Sequence, residues 1–199
     1  MLSITALMQT ATMTTTSSDI AEIIRQRRTV HNFKTGELPP TAEIRQAIDL
    51  AVCAPNHHAT APWRFYLIGA ATKEKICQLQ ADLLGGARDD KAALAKVDRW
   101  RAIPGWLLLT SARSANEIRA AEDYAACCCA AQNLMLYLWS RGIGVKWTTG
   151  SVTREARFYE ILGIDPNAEN VVGLFWYGYP AEVPPGERQP AGDKLVVLA

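Results

Sequence analysis

The chain has 199 residues, of which 49% are hydrophobic and 21% are charged, and this size and composition suit one globular domain. Its 21 basic and 20 acidic side chains give a net charge of +1, which excludes the strongly positive surfaces that attract nucleic acid or acidic membranes. The apolar fraction excludes a disordered chain, and no apolar run reaches the roughly 20 residues of a membrane-spanning helix.

Cysteine usage and the N-terminal sequence bear on the cellular compartment. Five cysteines, three of them adjacent at 127–129, show no regular spacing, which indicates reduced thiols rather than a disulfide framework. The first dozen residues lack the basic start and the sustained apolar run of a secretory signal. We therefore predict a cytoplasmic protein with a mobile arm over residues 1–17, ahead of a single domain over residues 18–199.

Apolar periodicity and capping residues define the elements of the N-terminal half. Ser18 or Asp19 can cap the first helix, and Thr41 can cap the second. The next apolar run carries aromatic and branched side chains on both faces, which is typical of a buried strand. In chain order we predict a helix over 18–28, a helix from Thr41 that stops at Pro55, a loop over 55–62, a strand over 63–69, and two helices within 72–100 that break at Gly85-Gly86.

The C-terminal half contains the longest predicted helix. Its middle, residues 124–139, is apolar nearly all round, and such a helix must be covered on every side. A second subunit is a reasonable source of that cover. We predict a strand over 106–112, a helix from about 119 to 141, a short strand or turn over 145–150, a helix from Thr153 to Leu162, and a strand over 171–180.

The tail and the order of elements complete this prediction. Four prolines between 180 and 190 lead to the apolar segment 195–198, which predicts an arm from about residue 180 that docks on the protein, with another subunit as one candidate surface. Helices and strands do not alternate as in βαβ units. The fold class predicted is therefore α+β.

Signatures of several enzyme classes are absent. The chain has no GxxxxGK[ST], no GxGxxG that opens a helix, and no GxSxG. Adjacent cysteines on a helix point in different directions and cannot ligate one metal ion. Pro55 breaks the helix between Cys53 and His57, which argues against a thiol–imidazole pair. Three histidines leave a Ser-His-Asp triad open, although no motif indicates one.

Two constellations of polar residues remain. Arg27, Arg28, Thr29 and His31 follow the first helix and can form a phosphate cradle through charge-assisted hydrogen bonds. The alternative is that these cations decorate a helix C-terminus, where they favour the macrodipole. The proline-bounded segment 55–63 carries amide, imidazole and indole groups; it is either a site for a planar polar ring or a structural connector.

Together these segments resemble the flavin-dependent nitroreductase family, in its short single-domain NAD(P)H-dependent branch. The matching segments are IIRQRRTVHNF (23–33), AVCAPNHHATAPWRF (51–65), WSRGIGVKWTTG (139–150) and VVGLFWYGYP (171–180). They occur in the family's order. The resemblance implies a mainly antiparallel central sheet flanked by helices, an intertwined homodimer, FMN at the dimer interface, and NADH or NADPH as the reductant.

The resemblance also assigns residues to the cofactor. His31 stands where the family usually has Arg or Lys, and Ala61 stands where it commonly has Gln. The residues assigned to the FMN phosphate and ribityl chain are Arg27, Arg28 and Thr29, with His31 nearby and Arg188 from the tail. Pro55, Asn56 and His57 are assigned to the border of the isoalloxazine ring, and Trp147, Thr148 and Thr149 to the stretch that meets the ring or the ribityl chain from the other side.

A flavin cofactor supplies the redox chemistry, which accounts for the absence of a triad or metal motif. The function implied is two-electron reduction of a nitroaromatic, quinone or similar small planar acceptor by a ping-pong sequence. The alternatives are a dehydrogenase or an ene-type reductase on the same fold, a flavin-binding protein without useful turnover, and a cofactor-free interaction module.

Overall fold

The structure, a computed structural model, describes residues 19–84 and 91–198. The predicted arm over 1–17 and the predicted break at Gly85-Gly86 lie outside the described residues. The helices are α1 (Ile20–Gln26), α2 (Thr41–Ala51), α3 (Ala70–Leu83), α4 (Lys91–Ala102), α5 (Glu117–Ser140) and α6 (Ala156–Leu162); the strands are β1 (Trp63–Ile68), β2 (Gly105–Ala112), β3 (Gly144–Thr148) and β4 (Glu169–Gly178). Short 3₁₀ turns cover His57–Ala59, Ser151–Arg154 and Gly192–Lys194.

The four strands form one sheet in the order β1-β2-β4-β3, and every neighbouring pair is antiparallel. This arrangement confirms the α+β prediction. Beyond β3, Thr29 makes an isolated parallel bridge to Val145, and the Val30 amide donates to the Val145 carbonyl at 3.2 Å. The segment that follows α1 therefore runs beside β3 at the edge of the sheet.

Each face of the sheet packs against its own helices. One face, with Leu107, Leu109 and Phe175, packs against α2 and α5. The other face, with Leu108, Leu174 and Trp176, packs against α3, α4 and α6. Because side chains alternate between faces along a strand, neighbouring residues of β2 and β4 belong to different cores.

Three local predictions were wrong. Thr41 does not cap α2, because Pro40 occupies the N-cap position and no side chain caps it. Thr153 lies in a 3₁₀ turn, and α6 starts three residues later at Ala156. Strand β1 is an edge strand rather than a buried one, with Leu67 48% exposed, since aromatic and branched residues suit both positions.

Helix α5 buries only part of its apolar surface within one chain. Ala130, Leu134 and Leu138 are buried against the sheet and α2, whereas Tyr124 is 45% exposed and Cys129 is exposed. The covering of this exposed face by a second subunit stays a prediction. Among the described helices, none combines the length and apolar character that a bilayer crossing requires.

Candidate functional site

Three guanidinium groups gather where the tail crosses the end of α1. Arg188 Nη2 donates to the Arg27 carbonyl oxygen at 3.0 Å, and Arg28 Nη2 donates to the Gly186 carbonyl at 3.4 Å. Arg28 Nη1 also donates to the Arg25 carbonyl at 2.7 Å, one of the acceptors left open at the end of the helix. Arg27, Arg28 and Arg188, hereafter the arginine cluster, join two segments separated by about 160 residues of sequence.

The arginine cluster has no anionic partner among the residues that the structure describes, because none of the ion pairs found there includes its three members. Burial, together with the charges of Arg188 and Arg28, lowers the pKa of Arg27. Like charges held close together without a counterion cost free energy. The arginine cluster is therefore prepared to bind an anion such as a phosphate group.

A cavity of about 440 Å³ lies between the β3 edge and α4, which is within the size range of small-molecule sites. The cavity lies close to the arginine cluster along the chain. Thr29 directly follows Arg28 of the cluster, and His31, which lines the cavity, is two residues beyond Thr29, about 7 Å along an extended chain. Its polar and aromatic lining consists of His31, Asn32, Gln80, Lys96, Arg99, Trp100, Lys146, Thr148, Gly150, Ser151 and Trp176.

Basic and aromatic groups dominate the cavity, and none of the described residues that line it is acidic. Lys146 Nζ lies 4.9 Å from the ring centroid of Trp176, and burial lowers the pKa of Lys146. Trp176 is 6% exposed, and its indole Nε1 has no hydrogen-bond partner. Basic side chains beside aromatic rings around this cavity indicate a site for an electron-rich ligand.

The predicted residues of β3 divide between the two faces of the sheet. Thr148 lines the cavity with Lys146. Trp147 points to the opposite face, where its ring packs 5.2 Å from Phe175 and its Nε1 donates to the Val172 carbonyl at 3.1 Å. Thr149 is exposed, and its carbonyl accepts from Arg154. Of the predicted residues 147–149, only Thr148 contributes a side chain to the cavity.

Pro55, Asn56 and His57 lie away from the cavity within one chain. Their loop precedes β1, and β1 is three strands from β3, about 14 Å at normal strand spacing. A hydrogen bond of 2.6 Å from Thr60 Oγ1 to the buried Asp123 of α5 anchors the loop.

The loop also carries backbone strain. His58, Ala59 and Ala61 have φ values of 55°, 50° and 45°, which L-residues rarely adopt and which concentrate at functional sites.

Comparison with known proteins places this arrangement in a family. The sequence model of the Nitroreductase family matches residues 24–179. The chain belongs to the nitroreductase family. This membership confirms the predicted fold and the prediction of an oxidoreductase.

Among similar nitroreductase-family proteins, YfhC of Bacillus subtilis (strain 168), assigned by name as an NAD(P)H nitroreductase, is 31% identical over 187 residues; the match covers 91% of this chain and 95% of YfhC. A nitroreductase-like family protein from Bacillus cereus is 28% identical, with a TM-score of 0.82 and coverage of 92% and 98%. A nitroreductase with bound FMN from Desulfitobacterium hafniense DCB-2 shares the fold at 17% identity, with a TM-score of 0.69 and coverage of 90% and 98%.

Sequence reasoning missed most of the residues that line the cavity, among them Lys96, Arg99, Lys146 and Trp176. Lys96 and Arg99 belong to α4, whose many charged residues are typical of a solvent-exposed helix. Lys146 and Trp176 could have been found from strand alternation, because Lys146 and Thr148 share a face and Trp176 pairs with Lys146 across the sheet.

Proposed function

We propose that the protein is an FMN-dependent NAD(P)H oxidoreductase that reduces nitroaromatics, quinones or similar planar acceptors by a ping-pong sequence. The observation that carries the proposal is the arginine cluster, which lacks a carboxylate partner among the described residues and leads directly into the cation-lined cavity. Further support comes from YfhC, named for an NAD(P)H nitroreductase activity, and from the FMN bound by the Desulfitobacterium protein of the same fold.

The residues present fit FMN at both of its ends. The phosphate needs charged donors, and the arginine cluster offers three guanidinium groups. The isoalloxazine ring presents carbonyl oxygens and ring nitrogens that accept hydrogen bonds, and the cavity offers the Lys146 ammonium group and the Thr148 hydroxyl as donors. The exposed Thr29 lies between these two places and is proposed to contact the ribityl chain.

When bound, FMN supplies the chemistry by carrying two electrons from NAD(P)H to the acceptor, and its ring gains negative charge when it is reduced. Lys146 and His31 place basic groups where that charge develops. Thr148 and the backbone of Gly150 border the same space. Because these cavity groups are already held in position, they would stabilise the negative charge of the reduced ring without having to reorganise.

The rest of the site is proposed to come from a second copy of the chain. Pro55, Asn56 and His57 are too far from their own cavity, and their exposed loop is free to border the ring bound by a partner. Two apolar surfaces are uncovered in one chain: the face of α5 that carries Tyr124, and Leu195–Leu198, whose residues are 75–89% exposed. Burial of both in a homodimer would remove a large apolar area from water.

All five cysteines are free thiols, which suits a reducing compartment, and we propose that the protein works in the cytoplasm. The electron acceptor itself is a small molecule.

The test is a nucleotide-oxidation assay on purified protein saturated with FMN. Oxidation of NADH or NADPH that depends on a nitroaromatic or quinone is expected, and double-reciprocal plots at several acceptor concentrations should be parallel. Intersecting lines would argue for a ternary complex. Gel filtration with light scattering should give a dimer, and a stable folded monomer at low micromolar concentration would contradict the proposed assembly.

A further inference from the structure

Two cations at the cavity have no role in the function proposed above. Lys96 and Arg99 lie on α4 and line the cavity with Trp100. Arg99 and Trp100 follow Lys96 by three and four residues, so the three side chains lie on one face of the helix. Both cations are exposed, and neither belongs to an ion pair within the part of the chain that the structure describes.

In the proposed complex, the negative charges of FMN are already matched by other cations, so Lys96 and Arg99 have no anionic partner there. In the proposed FMN complex the phosphate is met by the arginine cluster, and a reduced ring carries one negative charge, which Lys146 faces. Two like charges three residues apart on a helix repel each other, so their position at a cavity whose described lining holds no acidic residue favours a further anionic ligand.

The position of the two cations indicates where the anionic group of that ligand lies. Lys96 and Arg99 line the same cavity as the rings of Trp100 and Trp176, so both cations can meet an anionic group carried by a planar ligand that enters the cavity. The phosphates of NAD(P)H are separated from the nicotinamide ring by a ribose, which places them farther out. A carboxylate attached directly to an aromatic acceptor meets both requirements.

We infer that Lys96 and Arg99 select acceptors that carry a carboxylate on the ring, so that the enzyme prefers aromatic acids to neutral aromatics of the same shape. The inference rests on the proposed function and names the substrate class of that site. Arg99 offers a planar fork to the carboxylate, and Lys96 adds a point charge. Reduction of 4-nitrobenzoate to 4-nitrosobenzoate takes two electrons from the reduced enzyme and two protons, and releases water.

Binding of an unreactive matched pair tests the inference directly. Benzoate and benzamide are titrated into oxidised, FMN-saturated protein without nucleotide, and binding is followed by tryptophan fluorescence, because Trp100 and Trp176 line the cavity. Benzoate is expected to bind about tenfold more tightly than benzamide, the size of a charge-assisted hydrogen bond reduced by solvent exposure. The preference should shrink at high salt.

Variants locate the effect. Lys96→Gln and Arg99→Gln should each reduce the benzoate preference by about threefold, while Arg99→Lys retains most of it. Lys75→Gln is the matched control, because Lys75 is exposed on α3 and does not line the cavity. With reduced enzyme, 4-nitrobenzoate should be consumed faster than 4-nitrobenzamide, and the same two Gln variants should remove the difference.

Equal affinities for benzoate and benzamide, or no measurable binding of benzoate, would overturn the inference. So would a preference that survives in both Gln variants, or variants that weaken only the binding of NAD(P)H. Failure of the proposed function is a separate outcome, since it appears as protein that holds no flavin when the titrations begin.

Discussion

Replacing Arg188 with alanine is expected to weaken FMN binding without weakening the fold. Arg188 is exposed, and its one hydrogen bond runs to the Arg27 carbonyl. After burial, the charge of Arg188 is the next cause that lowers the pKa of Arg27, because the two guanidinium groups repel each other. Loss of the hydrogen bond and relief of the repulsion act in opposite directions. The free energy of unfolding should therefore change by less than about 0.5 kcal/mol.

The effect on FMN affinity is larger, because the phosphate loses one of three guanidinium partners. A hydrogen bond to a charged group contributes about 1.5–3 kcal/mol, and solvent exposure of Arg188 reduces this contribution. A loss of about 1.4 kcal/mol, or tenfold in Kd, is expected. Arg188→Lys should recover part of it, since the charge remains but the planar fork is lost.

The assay is a fluorescence titration of FMN into apoprotein, with thermal denaturation of the same samples. The control is Lys75→Ala, which removes an exposed cation of α3 that neither lines the cavity nor belongs to the arginine cluster. The reasoning predicts a smaller gain in Tm on FMN addition for Arg188→Ala and an unchanged Tm without FMN. An unchanged Kd for Arg188→Ala would refute the assignment of the arginine cluster to the phosphate.

Three further predictions concern the fold. Burial raises the pKa of Tyr177 to about 12 from its ordinary 10.0, so between these pH values the folded protein keeps a proton that the unfolded chain loses. The free energy of unfolding should therefore fall by roughly 2–3 kcal/mol as the pH rises from about 10 through 12. In denaturant titrations, Tyr177→Phe should remove that part of the fall. Burial also raises the pKa of the Cys77 and Cys127 thiols to about 11, so both should resist labelling by a disulfide reagent until the protein is denatured; mass spectrometry that finds either one labelled in native protein would contradict this. A Cβ on Gly173 would overlap the Trp147 indole at Nε1, so Gly173→Ala should cost about 1–3 kcal/mol of stability. Gly150→Ala, whose Cβ meets only Thr148 Oγ1 at 3.8 Å, should cost much less by thermal denaturation.

Local patterns predicted the helices and strands well, because each rests on a periodicity contained in its own segment. Helix α2 follows from the spacing of Ile44, Ala47 and Ala51, which are the residues it buries. The edge position of β1 could not be predicted, since the order of strands depends on long-range pairing. The helix caps predicted at Thr41 and Thr153 were wrong by one and two residues, because the N-cap positions fall on Pro40 and Glu155, neither of which makes a side-chain cap hydrogen bond.

The site was predicted in part. The segment around Arg27 was found because its cations are adjacent in sequence, and the tail arginine was found through the resemblance. Lys96 and Arg99 were missed, because only the packing of α4 beside Trp176 brings them to the cavity. Trp147 was assigned to the ring although strand alternation puts it on the face opposite Thr148.

The absorbance spectrum of the flavin during anaerobic addition of NADH or NADPH tests the central claim most directly. Protein that has been soaked in FMN and desalted should retain a yellow flavin spectrum, lose it when the nucleotide is added, and regain it when a nitroaromatic or quinone follows. Colourless protein after the same treatment, or bound flavin that neither nucleotide reduces, would contradict the account.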